Sequence, residues 1–302
     1  MLSKRIYRAL SRRLNPPQQV KDETALLAMG KLLSNQQWGM TSTSINDYEF
    51  RIFSQFGDDG IIQYLIKNLE IKNKTFVEFG VEDYKESNTR FLMMNNLWSG
   101  FVMDGSATYM NSLPLQPWYW KHQLQHKAAF ITCENINDLM AETGFSDLGL
   151  LHIDIDGNDY HVLEAMDFSK LNPAILIMEY NSVFGMERTI SIPYKPDFFR
   201  TAAHHSNLYF GASLPALEYL ADKKGYALIG GNLDGNNAYF VRKDLLNSTV
   251  KACSLEEAYR ESQFMESRDE NGNLTYLRGQ ERLQKIRGME VVNVLTDQIE
   301  EL

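Results

Sequence analysis

A Rossmann-like α/β fold, with a mostly parallel sheet, helices on both faces and an antiparallel terminal hairpin, is predicted by three features of the chain. Short apolar runs at 75–79, 100–104, 148–154 and 174–179 alternate with stretches of helical apolar spacing, the order expected of strands joined by helical crossovers. The last three runs end on an acid, Asp104, Asp154 and Glu179, at the edge where ligands of open α/β sheets bind. Two further apolar runs, 226–229 and 238–241, flank a turn rich in glycine and asparagine and read as a hairpin.

Taken in order, Pro16 and Pro17 precede a helix at 23–33, and 34–46 reads as a polar linker. Helix 61–69 carries Ile61, Ile62, Leu65 and Ile66 on one side and should pack beside the first strand, with Gln55, Asp58 and Asp59 as capping and turn residues. Strand 75–79 turns at Gly80, where the missing Cβ permits a tight turn or close ligand approach, and Ser87 is expected to cap a helix through Phe91, Leu92, Met93 and Leu97. Trp118 and Trp120 are read as core packing, 128–132 as the third strand, and Asn135 as the cap of a helix ending near Glu142. After strand 148–154, helix 160–166 and strand 174–181, the segment 182–210 has no clean period and reads as a long loop over the site. Helix 213–224, stopped by Gly225, leads into the hairpin and completes a sheet of six or seven strands. Beyond Lys243, charged helices are expected at 254–268 and 278–286, as a solvated appendage or an oligomer contact. The organisation is thus an arm and linker over 1–46, a core over 47–245 and an appendage over 246–302.

With 302 residues, 44% of them hydrophobic, the chain can bury a substantial core. A net charge of -9 argues against nucleic acid as a partner. Cys133 and Cys253 are far apart and lack neighbours at ligand spacing, which excludes a zinc motif and leaves a reducing cytoplasm as the default location. No apolar run is long enough to span a membrane. Residues 1–14 nevertheless carry Lys4, Arg5, Arg8, Arg12 and Arg13 beside Leu2, Ile6, Leu10 and Leu14, a pattern that suits the anionic inner face of a membrane as well as a solvated basic arm.

The chemistry concentrates at the strand ends. The first turn has only Gly80 where a dinucleotide fingerprint needs three glycines, and Glu78, Glu82, Asp83 and Glu86 surround the single Lys85. Such a turn repels a diphosphate and suits a cation. S-adenosylmethionine, with its sulfonium, amino-acid tail and ribose diol, matches it; the plain alternative is an ordinary acidic loop. Asp104 lies 24 residues after Gly80, near the spacing of an acid that accepts both ribose hydroxyls, although Asp-Gly is also a common turn. Glu134 either faces the adenine or caps the next helix. Asp154 and Asp156 alternate, as do Glu179 and Asn181, so the four should converge on one crevice. Two readings follow: Asp154, Glu179 and Asn181 hold a hard cation such as Mg2+, or Asp154, Asp156 and Glu179 work without metal as a base toward a hydroxyl. His204 or His205 is a further base candidate.

The combination of 76–80 (FVEFG), 87–89 (SNT), 104–106 (DGS) and 151–160 (LHIDIDGNDY), with Glu179 on the next strand, resembles the FkbM-type S-adenosylmethionine-dependent methyltransferases over roughly 48–245. The resemblance implies the class I methyltransferase fold, a seven-stranded sheet with an antiparallel last strand. It also implies that Glu78 and Gly80 form the methionine-side turn and that Asp104, followed by Gly105 and Ser106, holds the ribose. Asp156 stands where the family usually has a glutamate. The arrangement of Asp154, Glu179 and Asn181 is similar to the metal triad of catechol-type O-methyltransferases, but Tyr180 separates an acid and an amide that are adjacent there. The expected function is O-methylation of a hydroxyl on a glycan or related small molecule. The alternatives are an NAD(P)- or nucleotide-sugar-binding enzyme and a non-catalytic interaction module.

Overall fold

The structure is a computed structural model that describes residues 22–302. The basic pattern at 1–14 lies outside the described residues. The strands are β1 (Thr75–Phe79), β2 (Ser99–Asp104), β3 (Leu124–Ala128), β4 (Leu150–Ile153), β5 (Ile175–Glu179), β6 (Ile190–Ser191), β7 (Tyr226–Gly231), β8 (Asn237–Arg242), β9 (Glu290–Asn293) and β10 (Gln298–Glu301). Seven of them form one sheet in the order β3-β2-β1-β4-β5-β8-β7, in which β8 alone runs against its neighbours, as the hairpin signal predicts.

The central strands are apolar on both faces because helices cover both. Val77, Phe79, Leu151, Ile153, Leu176 and Met178 pack toward the helices Ile136–Glu142, Asp159–Ala165 and Leu214–Lys223. On the opposite face Phe76, Leu150, Ile175, Ile177 and Tyr239 meet the helix Asp58–Asn68. Each such side chain contributes about 1.5–3 kcal/mol by leaving water. The alternation also decides the chemistry. Glu78, His152, Asp154 and Glu179 lie on the second face, beneath the N-terminus of Asp58–Asn68.

Several sequence expectations change. The helix predicted at 23–33 forms as Glu23–Gln36, and the supposed linker behind it is anchored. Ser34 donates to Gln63 (2.8 Å), and Gln37 donates to the carbonyls of Tyr48 (2.8 Å) and Gly60 (2.9 Å). Ser87 does not cap the next helix, which begins at Arg90 after Thr89; it is held instead by Glu78. The third strand is Leu124–Ala128 rather than 128–132, because an edge strand needs only one apolar side, and the apolar run at 128–132 forms the return loop. Trp118 is buried as expected, whereas Trp120 is exposed.

The largest departure is C-terminal. The helix expected over 254–268 is the single turn Leu255–Ala258, closed by a capping box between Ser254 and Glu257. Its continuation is extended, held by tertiary partners rather than by its own i to i−4 bonds. The last residues then form the helix Gln280–Lys285 and the hairpin β9–β10, which pairs with β6 in a second, three-stranded antiparallel sheet. Ile286 and Val291 are buried there against Val183, Phe184, Ile190 and Ile192.

Candidate active site

The turn after β1 is organised by Glu78. Its buried carboxylate accepts from Ser87 Oγ (2.6 Å), the Asn88 N–H (2.9 Å), the Thr89 N–H (3.2 Å), the Thr89 hydroxyl and His152 Nδ1 (2.9 Å). Burial alone would raise the Glu78 pKa, but the hydrogen bonds and charge of His152, with those of Ser87 and Thr89, hold it below its ordinary value. Burial likewise opposes the charge on His152, and Glu78 outweighs it, so that pKa is raised. Glu78 therefore fixes the 80–89 loop, in which Glu82 (φ 46°) and Tyr84 (φ 59°) adopt left-handed conformations that need such support.

Gly80 makes the tight turn expected of it, and the close approach there is made by the protein's own backbone. At φ 69°, a Cβ on it would lie 1.6 Å from the Asp154 carbonyl, so the glycine admits the end of β4. This close approach brings the two strand ends together. The negative field is also relocated. Asp83 pairs with Lys85 and Glu86 with Arg51 (3.0 Å), which leaves Glu82 of that turn facing the crevice. Its pKa is raised by burial and then by Asp104, Asp83 and Asp156.

At the end of β2, Asp104 Oδ2 accepts from the Glu82 N–H (2.8 Å) and Oδ1 from the Ser106 N–H (2.7 Å), which orients a half-buried carboxylate with lone pairs to spare. Ser106 caps the helix Ala107–Ser112 and so supports Asp104 through its backbone. Beside it a Cβ on Gly105 would meet only Phe130, at 3.6 Å, so this corner has room. Glu134 is drawn aside, accepting from the Tyr194 hydroxyl (2.6 Å).

Asp154, Asp156 and Glu179 do converge, each offering a carboxylate oxygen within 4.8 Å of the others. Asp156 reaches the cluster from a left-handed residue (φ 55°) in a loop that Asp159 ties down through the N–H groups of Ile155 (2.8 Å) and Gly157 (2.9 Å). The Asp154 pKa is pushed up to about 7 by burial and by Asp156. That of Glu179 is raised well above its ordinary value by burial and then by Asp154 and Asp156, and its Oε2 is buried without a hydrogen-bond partner.

Arg200, which nothing in the sequence singled out, is the cation of this group. It pairs with Asp156 (2.5 Å), donates to the Asn207 carbonyl (2.9 Å) and lies 3.7 Å over the Phe210 ring. An arginine within a long aperiodic loop carries no local signal of this kind.

Two expected residues stand elsewhere. Asn181 donates to the Leu208 (2.9 Å) and Phe210 (3.0 Å) carbonyls while its oxygen accepts from Val183 N–H (3.0 Å), so its amide holds the loop rather than joining the acids. His204 bonds to Ser206 (2.8 Å) and lies tilted against the His205 ring (4.3 Å between centroids), and its pKa is lowered by burial and then by His205 and Lys285.

The sheet order, the reversed β8 and the acids at the ends of β2, β4 and β5 define a Rossmann-like α/β fold with an acidic crevice at its strand ends. Residues 65–205, just under half of the chain, match the family model of the methyltransferase FkbM domain. Solved structures similar to it include M. capricolum TrmK with S-adenosyl-homocysteine, at 11% identity, TM-score 0.37, covering 61% of this chain and 68% of that one. Another is an O-methyltransferase from Bacillus cereus with the same compound, at 10% identity and TM-score 0.40, covering 77% of this chain and 95% of that one. A third is the geranyl diphosphate C-methyltransferase of Streptomyces coelicolor A3(2), at 10% identity, TM-score 0.34, covering 70% and 82%. No curated protein matches the sequence.

Proposed function

We propose that the chain is an O-methyltransferase acting on a hydroxyl of a glycan or related small molecule. The observation that carries this reading is the crevice in which Asp154, Asp156 and Glu179 come together beside Asp104 and Glu82 with Arg200 as the cation among them. That environment favours a positively charged guest and supplies a carboxylate able to take a proton near neutral pH. S-adenosylmethionine, when bound, provides a methyl group on a sulfonium. Asp104 would accept from the ribose hydroxyls, and Gly105 and Phe130 leave space at the same corner.

Asp154 and Glu179 would hold the acceptor hydroxyl and take its proton as the acceptor oxygen bonds to the methyl carbon and the carbon–sulfur electron pair returns to sulfur. Two acids this close titrate together, so the ionised member of the pair is the base. Positioning in line supplies most of the rate, with the carboxylate adding about 10²–10⁴-fold. Transfer from methyl-labelled S-adenosylmethionine to a panel of methyl glycosides tests the reading. Wild type labels at least one glycoside and Asp154→Asn loses at least 100-fold; no labelling of any glycoside would direct the search to other acceptors.

One observation favours a second reading. The three oxygens and the unpartnered Glu179 Oε2 form an all-oxygen set that fits a hard divalent ion such as Mg2+, without Asn181. Chelator decides between them: full activity in EDTA removes the metal, and loss restored by Mg2+ establishes it.

A further inference from the structure

Glu179 is only 8% exposed although it sits at the open end of a strand. The residues just after it, Tyr180 and Ser182, bond to the extended segment that the sequence led one to expect as helix. Tyr259 and Ala258 pack with the cluster on one face of the sheet. From there the Arg260 carbonyl accepts from the Tyr180 hydroxyl (2.8 Å), Ser262 N–H donates to Ser182 Oγ (3.0 Å) and Gln263 N–H donates to the Asp234 carbonyl (2.9 Å). Phe264 then stacks on Phe56 (6.0 Å, 18°), in the loop before Asp58–Asn68 on the other face. The chain returns through Glu266, which accepts from Asn207 (3.1 Å), and through Arg268 N–H, which donates to the Ser206 carbonyl (3.2 Å).

The segment thus passes from one layer to the other across the ends of β5 and β8, where Glu179 is paired with Asn237. It spans from the Phe56 bank to the Asn207 bank that carries Arg200. It also lies beyond the stretch 65–205 that matches the FkbM domain, whereas Asp104 and Gly80 lie within it.

We propose that residues 260–268 form the roof of the acceptor side of the crevice, and that Phe264, stacked on Phe56, is its latch and a specificity-determining residue. The roof has no regular backbone ladder, so a few single hydrogen bonds, the ring stack on Phe56 and Arg282, which lies over Phe264 and donates to Ser262, keep it closed over Glu179. A ring-shaped, hydroxylated acceptor enters by displacing Phe264 and stacking on Phe56, which is why selection among acceptors rests here and not on the cofactor side. The acceptor class is that of the proposed function; the roof itself is independent of it.

The test is carboxylate labelling with a water-soluble carbodiimide and glycine ethyl ester, read by peptide mass spectrometry on wild type, Phe264→Ala and the milder Phe264→Leu. Glu179 should label at least tenfold faster in Phe264→Ala, and to an intermediate extent in Phe264→Leu, while Glu78 stays unlabelled and S-adenosyl-homocysteine affinity stays within twofold. With the best wild-type glycoside, KM should fall at least threefold in Phe264→Ala, since no ring has to be displaced from Phe56, and the spread of kcat/KM across the glycoside panel should narrow; an unchanged KM and spread would overturn the role in specificity. Equal Glu179 labelling in all three proteins overturns the roof, and so does a parallel rise at Glu78, which signals general loosening. Absence of S-adenosyl-homocysteine binding in wild type would overturn the methyl-transfer reading and leave the labelling comparison to decide the roof.

Discussion

Glu78 and Glu179 are both buried carboxylates on one face of the sheet, and their surroundings give them opposite behaviour. Glu78 has hydrogen-bond donors on both oxygens and a depressed pKa, so the stability it contributes is present above its unfolded pKa and is lost as pH falls through its folded value. Replacing it by Gln leaves His152 and the loop N–H groups without their charge; we expect a loss of about 3–5 kcal/mol in urea unfolding. Glu179 has a raised pKa, so its contribution is present below the unfolded value of 4.5 and is lost as pH rises through its folded value. Glu179→Gln should therefore melt higher than wild type at pH 8, converge with it near pH 4, and lose most methyl transfer. Differential scanning calorimetry across pH checks the sign. Glu179, like Asp104 and Asp154, was legible in the sequence because it ends an apolar run. The role of Glu78 as loop anchor was not, since its partners Ser87, Thr89 and His152 lie up to 74 residues away.

Among the elements, the central strands were readable because strands buried on both faces leave continuous apolar runs, as at Phe76, Val77 and Phe79 or Leu150, Leu151 and Ile153. The edge strand β3 was misplaced because Gln125, His126 and Lys127 resemble a loop, and only its neighbour β2 defines it. Likewise Gly80 announced a turn, but not that β4 would press on it. A methyl group there would drive Asp154 away, so Gly80→Ala should lower the melting temperature by several degrees and weaken S-adenosyl-homocysteine binding together. An unchanged melting temperature would mean that the β1 and β4 ends do not touch.

For the whole molecule, charge patterning suggested a solvated C-terminal appendage, whereas 290–301 completes a second sheet over an apolar cluster. Tertiary partners override local helix preference from 259 to 279, and a reading of periodicity cannot see them. Deleting 287–302 should strip β6 of its partner and uncover Val183, Phe184 and Ile190, giving a protein that aggregates in gel filtration at concentrations where the full chain does not. None of the helices among the described residues is long and apolar enough to cross a membrane.

The acidic crevice gathers at the ends of β1, β2, β4 and β5, and within it Asp104 is the carboxylate proposed to hold the ribose. Titration calorimetry with S-adenosyl-homocysteine and with NAD, on wild type and Asp104→Ala, probes it directly. One S-adenosyl-homocysteine should bind per chain, at least tenfold more weakly in Asp104→Ala, with no heat from NAD. Binding of NAD by wild type, or equal S-adenosyl-homocysteine affinity in the two proteins, would contradict this reading of the crevice.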